Sequence, residues 1–546
     1  MRRTRIKFMF SVLTTIFLLA SLFITGLAAP KQTVAVQILA VNDFHGALVT
    51  SGARGGVEYM ATLVKQKRAE NENTIFVSAG DMVGASPLIS ALFHDEPTIL
   101  AFNLMGLDYA ITGNHEFDEG VQELKRLQEG GCHPVDGCLA GDFPGASFKF
   151  LAGNVINLKN GQTLFSSYKI RSFAGAKVAF VGIAYDKTPT IVTAAGTAGV
   201  EFLDETTAVN AIAAELKEKG IKTIVMLIHD GGSQGVPSAS LDPNACINFS
   251  GSIANVVNAS DPEIDLFITG HTHGAYNCNI SDRLVTGALT NGEYITEIDL
   301  VLDRDSGDIV SKTVLNVPVL KTVAKDPEMT ALVDKYQALS APLANRVIGS
   351  ITADILRYGD RTRESPLGDV IADAQLASTS APEKGGAVAA FMNPGGIRAS
   401  FTYAQISAGE QPGEITYGEA FTVQPFGNDL VTMTLTGAQI KAVLEQQATT
   451  NLTLQISNGV TYTWTKSAAV GSRVTDLKFY DVPVDPALSY QITVNSFLAT
   501  GGDGFTVLTQ GTNRLVGQVD IDALVDYFRA NSPVAPGLAN RITVLP

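Results

Sequence analysis

The sequence predicts an α/β protein of two domains, and three observations carry that prediction. The chain has 546 residues, too many for one ordinary hydrophobic core. From Thr33 to about Leu320, apolar runs of strand length alternate with helical stretches, the pattern of a layered α/β domain. A separate helical stretch at 326–347 precedes a second set of strand-like runs.

In the first region, VAVQILAV, TIFVSA, DYAIT, FLAGNV, VAFVGIA, TIVMLI and DLFIT read as strands. Their nearly unbroken apolar character fits strands covered on both faces. VEYMATLVKQKRAE, TILAFNLMG and AVNAIAAELKEKG read as the helices between them. Asp326-Pro327 is a helix-start signal, and Met329, Leu332, Val333, Tyr336 and Leu339 follow at helical spacing. Residues 326–347 are therefore expected to form a linker helix between a first domain at 30–325 and a smaller α/β domain at 348–546. VAAFMN, LVTMTLT, VTYTWT and YQITVNSFLA read as strands of the second domain.

Composition narrows the partners. Hydrophobic residues make up 45% and charged residues 17%, which excludes a disordered chain. The net charge of −15 argues against a nucleic-acid polymer, which needs a basic footprint. A small anionic substrate is compatible if local cations offset the field. The first 29 residues read as a secretory signal, with Arg2, Arg3, Arg5 and Lys7 before an apolar run and small residues at Gly26–Ala29. Losing those four positive charges takes the net charge from −15 to −19. A secreted protein, extracellular or periplasmic, is expected, with an uncleaved N-terminal anchor as the only membrane contact. Export permits disulfides. Of three possible pairings, the bracketing of the four cysteines points to Cys132–Cys138 and Cys246–Cys278.

The chemistry gathers at strand ends. Asp43 and His45 follow VQILAVN, Asp81 follows TIFVSAG, and Asn114 and His115 follow DYAITG. His229 follows TIVMLI, and His271 and His273 follow DLFITG. In open α/β sheets the carboxyl ends of the strands meet at one edge, where ligands bind. The chain has seven histidines, and five stand at these ends; only His94 and His133 lie elsewhere. Any one of them alone reads more readily as a satisfied polar residue than as a ligand. Five placed this way, among Asp43, Asp81 and Asn114, make coincidence a poor explanation. Carboxylates and neutral imidazoles suit divalent zinc, manganese, cobalt or magnesium, and there are too many ligands for one ion. Two ions about 3.5–4 Å apart that share a carboxylate form the usual clamp for phosphoryl displacement.

The ordered set D43-x-H45, G80-D81, G113-N114-H115-E116, H229 and G270-H271-T272-H273 resembles the calcineurin-like metallophosphoesterases. The resemblance implies an αββα sandwich with one divalent ion on Asp43, His45, Asp81 and His273. The second would sit on Asp81, Asn114, His229 and His271, with Asp81 bridging. It implies that His115 faces the substrate phosphate and that Asp118 orients its ring. RTRESPLGD at 361–369, NPGGIR at 393–398, QPFGN at 424–428 and NSFLATGGDG at 495–504 resemble the C-terminal domain of secreted 5′-nucleotidases. That likeness implies that Phe426 and Phe497 sandwich a base and that Asp503 holds the ribose hydroxyls. Arg361 or Arg363, Asn393 and Arg398 would contact phosphate or ribose. Two departures stand out: Pro394 where the family usually has glycine, and Ile228 where Ser or Thr is common before the histidine.

The expected reaction is hydrolysis of nucleoside 5′-monophosphates by water activated between two metals, with domain rotation delivering substrate. Pyrophosphatase action on UDP-sugars and 2′,3′-cyclic phosphodiesterase action are alternatives at the same site. A thiosulfohydrolase fits less well, because it has no base to stack on the two phenylalanines. An adhesion protein on a dead phosphoesterase scaffold has no physical need for an intact ligand set.

Overall fold

The computed structural model describes residues 32–50 and 52–546, so the expected signal segment lies outside the described residues. The first domain stacks two six-stranded sheets. Five strands organise it: β1 (Thr33–Val41), β2 (Thr74–Ser78), β3 (Tyr109–Ile111), β4 (Thr223–Ile228) and β5 (Leu266–Thr269). In the first sheet β1 pairs in parallel with β2, and β2 with β3. In the second, β4 pairs in parallel with β5 and with Ala176–Ile183. Parallel strands send their carboxyl ends the same way, so the loops after them share an edge.

The unbroken apolar runs follow from burial on both sides. Val36, Ile38 and Ala40 of β1 face the inter-sheet core, where they meet Phe180, Val225, Leu227 and Ile268. Leu39 and Val41 face the other way, toward Val57, Met60 and Phe102 of the outer helices. β4 does the same in the second sheet, with Ile224, Met226 and Ile228 packed against Val209, Ile212 and Leu216. The result is the four-layer αββα sandwich.

Some elements differ from the sequence reading. FLAGNV is two short strands, Lys149–Leu151 and Val155–Asn157, in different sheets. The long strand Tyr294–Asp303 lies inside the first sheet, and Ile309–Pro318 forms its edge. The latter strand is largely solvent-facing, so it lacks the apolar run that marks the inner strands. The two disulfides are Cys132–Cys138 and Cys246–Cys278.

The second domain is built on a five-stranded sheet that includes Ala389–Met392, Asp429–Thr436 and Ser489–Asn495. YQITVNSFLA is broken at Asn495, whose side chain accepts the Leu498 N–H and caps the short helix Ser496–Ala499. The long helices Pro366–Thr379 and Asp520–Asn531 cover this domain and were not read from sequence.

The expected linker helix is α1 (Pro327–Ala344), opened by Asp326, whose side chain accepts the Met329 N–H at 3.1 Å. It docks on the first domain. Met329 and Val333 join the core with Val57 and Phe102, and Tyr336 meets the Phe93 ring edge-on at 4.9 Å. The chain enters the second domain just beyond it, where the Tyr417 N–H donates to the Arg346 carbonyl and Val347–Ser350 pairs with Glu414–Thr416. Met329→Ala is expected to cost about 2–5 kcal/mol, as for other fully buried large-to-small changes. It should lower the denaturation midpoint of the first domain; an unchanged midpoint would contradict the docking.

Candidate active site

The loops after β1 to β5 bring together all seven residues expected as metal ligands. Asp43, His45 and His273 form one group, and Asp81, His229 and His271 another, with candidate ligand atoms in each within 4.8 Å of one another. Asn114 joins the second group, its Oδ1 2.9 Å from His271 Nδ1. Asp43, Asp81, Asn114 and His229 are buried, while His273 is partly open to the cleft.

The backbone is bent to make this possible. Asp43, His45, Asp81, His271 and His273 all lie in the left-handed region, with φ between 48° and 69°. Asp and His tolerate that region better than most side chains, yet it costs about 1–3 kcal/mol per residue. Gly80, at φ 88°, and Gly113 let the β2 and β3 loops touch: a Cβ on Gly113 would collide with Asp81 Oδ1. Glu116 holds these loops together. Its carboxylate accepts the N–H groups of Asp81 at 2.9 Å, Met82 at 2.8 Å and Gly113 at 2.6 Å. Sequence reasoning gave Glu116 no definite role; an acid three residues beyond the loop glycine was the available signal.

The donor set fits divalent ions on its own chemistry. His229 Nδ1 donates to the Ala79 carbonyl at 2.8 Å, which turns Nε2 toward Asp81. Nε2 lies 3.0 Å from Asp81 Oδ2 but off the line of a hydrogen bond. His45 Nδ1 likewise donates to the Gly84 carbonyl at 3.0 Å, and its Nε2 faces His273 Nε2 at 3.0 Å. Imidazole nitrogens that converge beside buried carboxylates make a donor set that suits divalent cations. Burial lowers His271 and His273 to about 3, so both imidazoles are neutral, as metal ligation requires. Burial opposes charge on His229 too, but Asp81 and Asp43 outweigh it and raise that pKa to about 10; a bound cation would take the proton's place.

His115 lies beside the ligands, forming a third group with His45 and Asp81 whose candidate ligand atoms are within 4.8 Å of one another. Its Nδ1 is 2.7 Å from Asp118 Oδ2, and its N–H donates to Asp81 Oδ1 at 2.9 Å. Burial lowers its pKa, yet Asp118 and Asp81 raise it above the usual histidine value, which favours the protonated ring.

A cavity of about 530 Å³ joins this edge to the second domain, lined by Asp81, Asn114, His115 and Asp118 on one side and Arg361, Asn393, Arg398, Phe426, Phe497 and Asp503 on the other. Phe426 lies parallel to the His115 ring at 5.8 Å, with the Arg398 guanidinium over it at 5.7 Å. Asn393 donates to Asp503 Oδ2 at 2.9 Å and accepts from Asn495 Nδ2 at 3.0 Å. Pro394 opens the short turn after Asn393, whose side chain those two bonds pin. Between Arg361 and Arg363, the open choice is decided by position. Arg361 lines the cavity; Arg363 does not, and its guanidinium sits over the Tyr358 ring at 3.9 Å with its side chain mostly in solvent. Burial, with Arg361 and Arg357 beside it, lowers Arg398 to about 10.

Three residues were missed. Tyr185 stacks on His271 at 4.3 Å, Asn428 lines the cavity beside Phe426, and Arg357 lines an adjoining cavity with Arg361, Arg398, His45 and His273. Asn428 lay within a quoted motif, whereas Tyr185 and Arg357 carried no local signal.

Paired sheets with Asp and His at their strand ends define the first domain as a calcineurin-like phosphoesterase, and the model of that family matches residues 36–275. The model described as 5′-nucleotidase, C-terminal domain, matches residues 347–510. Cell wall protein Lmo0130 of Listeria monocytogenes is 33% identical across 95% of this chain and 71% of its own length. Endonuclease YhcR of Bacillus subtilis is 32% identical across 94% of this chain, which spans only 41% of that relative. The crystal structure of a 5′-nucleotidase precursor from Thermus thermophilus superposes with a TM-score of 0.75 at 27% identity, covering 94% of this chain and 99% of that one. The chain belongs to the 5′-nucleotidase family, a calcineurin-like phosphoesterase domain joined to a 5′-nucleotidase C-terminal domain. The family is one of phosphoric monoester hydrolases that use divalent metals.

The site separates two roles within one loop. Asn114→Ala is expected to lower the divalent metal retained after dialysis, whereas His115→Ala should retain it. Equal retention by both variants would contradict the separation.

Proposed function

We propose that the protein is secreted and hydrolyses nucleoside 5′-monophosphates to nucleoside and inorganic phosphate. The observation that carries this reading is the shared cavity, which sets two phenylalanines and a carboxylate of one domain opposite the Asp/His cluster of the other. Asp43, His45, Asp81 and His273 would hold one divalent ion; Asp81, Asn114, His229 and His271 would hold the other. Such a pair supplies Lewis acidity at the phosphoryl oxygens and an activated water as nucleophile.

The chain's own residues do the rest. Arg361 and Arg398 attract the phosphate into a strongly acidic protein and offset charge as the P–O5′ bond breaks. His115, held by Asp118 and favoured in its protonated form, stands where it can stabilise that charge or give the leaving oxygen its proton. Phe426 and Phe497 offer aromatic faces for a base, which stack without strict base preference. Asp503, fixed by Asn393, accepts from the ribose hydroxyls. Arg363 has no part in this arrangement.

Catalytic and base-binding groups lie on different domains, so relative rotation should gate the cycle. Because α1 docks on the first domain, the pivot falls at its C-terminal end, near Asn345 and Arg346. Hydrolysis should be followed by chromatography of the products from AMP, UDP-glucose, 2′,3′-cAMP and p-nitrophenyl phosphate, with manganese or zinc and then with EDTA. AMP is expected to be turned over fastest, and only with metal. Faster conversion of UDP-glucose to UMP and glucose 1-phosphate, or of the cyclic nucleotide to a nucleoside monophosphate, would reassign the substrate, and no metal-dependent hydrolysis of any would contradict the enzyme. A disulfide engineered across the cleft should abolish multiple turnover reversibly; full activity while locked would refute the gating.

A further inference from the structure

We propose that the first domain carries a third metal site, for an ion of the zinc class, made by His94, His133 and Asp136 with Glu119 behind His94. Of the seven histidines, only His94 and His133 lie away from the active-site strand ends, and they meet each other. Their rings stack at 3.7 Å and 15°. They come from separate segments. His94 sits in a left-handed turn, at φ 50°, between the helices Leu88–Ala91 and Glu96–Met105. His133 lies inside the loop closed by Cys132–Cys138.

The same loop supplies Asp136, which reaches both rings. Its Oδ2 is 2.9 Å from His94 Nε2 and 3.3 Å from His133 Nδ1. Four-coordinate zinc, with ligands at about 2.0–2.2 Å, separates neighbouring ligand atoms by about 3.3–3.5 Å. Coordination therefore needs the stacked rings to fan apart slightly, a rotamer adjustment. His133 Nδ1 now accepts the Asp136 N–H at 3.1 Å and would exchange that bond for the ion.

Glu119 supplies what an imidazole ligand usually has behind it. Its Oε2 lies 2.7 Å from His94 Nδ1, so Nδ1–H donates to the carboxylate and Nε2 is left for the ion. In the metal-free state Glu119 and Asp136 outweigh burial and raise His94 to about 9, so a proton stands in for the cation. Two imidazoles with one coordinating carboxylate select zinc over magnesium or calcium. None of the four residues belongs to the catalytic set. His133 and Asp136 sit in a covalently closed loop, so the ion would staple that loop to the His94 turn. The residue after His94 is Asp95, which accepts the Gly84 N–H at 3.0 Å and the Ser86 hydroxyl at 2.6 Å. The residue before Glu119 is Asp118, the partner of His115.

The test counts zinc in the full protein, stripped by chelator, reloaded with Zn(II) and freed of unbound metal, by elemental mass spectrometry. His133→Ala and Asp136→Asn should each carry one zinc fewer than wild type while keeping wild-type phosphate release under saturating manganese, which shows that they are folded. Glu119→Gln should keep the ion but weaken it by about 10–100-fold, the usual effect of losing a ligand's outer partner. Equal zinc counts in wild type and both loop variants would overturn the site.

Discussion

Four loops of the first domain meet on Asp81. Its backbone N–H donates to Glu116, its carbonyl accepts the His45 N–H, and one carboxylate oxygen accepts the His115 N–H. The other oxygen faces His229 Nε2 at 3.0 Å. One buried acid thus ties the β1, β2, β3 and β4 loops into a single edge. Such an acid is stable only where opposite charge or hydrogen bonds compensate it. The left-handed turns at five neighbouring ligand positions are the conformational cost of crowding these groups around one point, and the packed sheets below over-determine them.

The second domain changes the field that a substrate meets. The chain is acidic, with a net charge of −15, yet Arg357, Arg361 and Arg398 line the two adjoining cavities beside His45 and His273. A phosphate entering there leaves a repulsive exterior for a concave site where cations and low-dielectric walls concentrate the potential. Phe426 reaches across the boundary and lies flat beside the His115 ring. The proposed stacking surface and the His115 ring are therefore neighbours in space although they belong to different domains.

Much of the first domain was legible in the sequence, because strands buried on both faces leave unbroken apolar runs and polar residues at their ends stand out. The scarcity of histidine made the pattern readable, and all seven candidate ligands fall at one edge. The solvent-facing edge strand Ile309–Pro318 left only a partial trace, since it has no need of an apolar run on both faces. Arg361 and Arg363 could not be separated by spacing alone; what separates them is that Arg363 finds the Tyr358 ring. Tyr185, stacked on His271, comes from a loop with no motif, and only the fold brings the two together. The meeting of His94 with His133 was equally invisible, because no periodicity links a helix turn to a disulfide loop.

In the proposed reaction both domains act on one substrate at the same time. Its most direct measurement compares kcat/KM for AMP and for p-nitrophenyl phosphate in wild type and in Phe497→Ala. Base stacking of about 1–3 kcal/mol corresponds to roughly a 5–150-fold loss. That loss is predicted for AMP alone, with p-nitrophenyl phosphate hydrolysis little changed. An equal loss on both substrates, or none on AMP, would contradict joint action of the two domains.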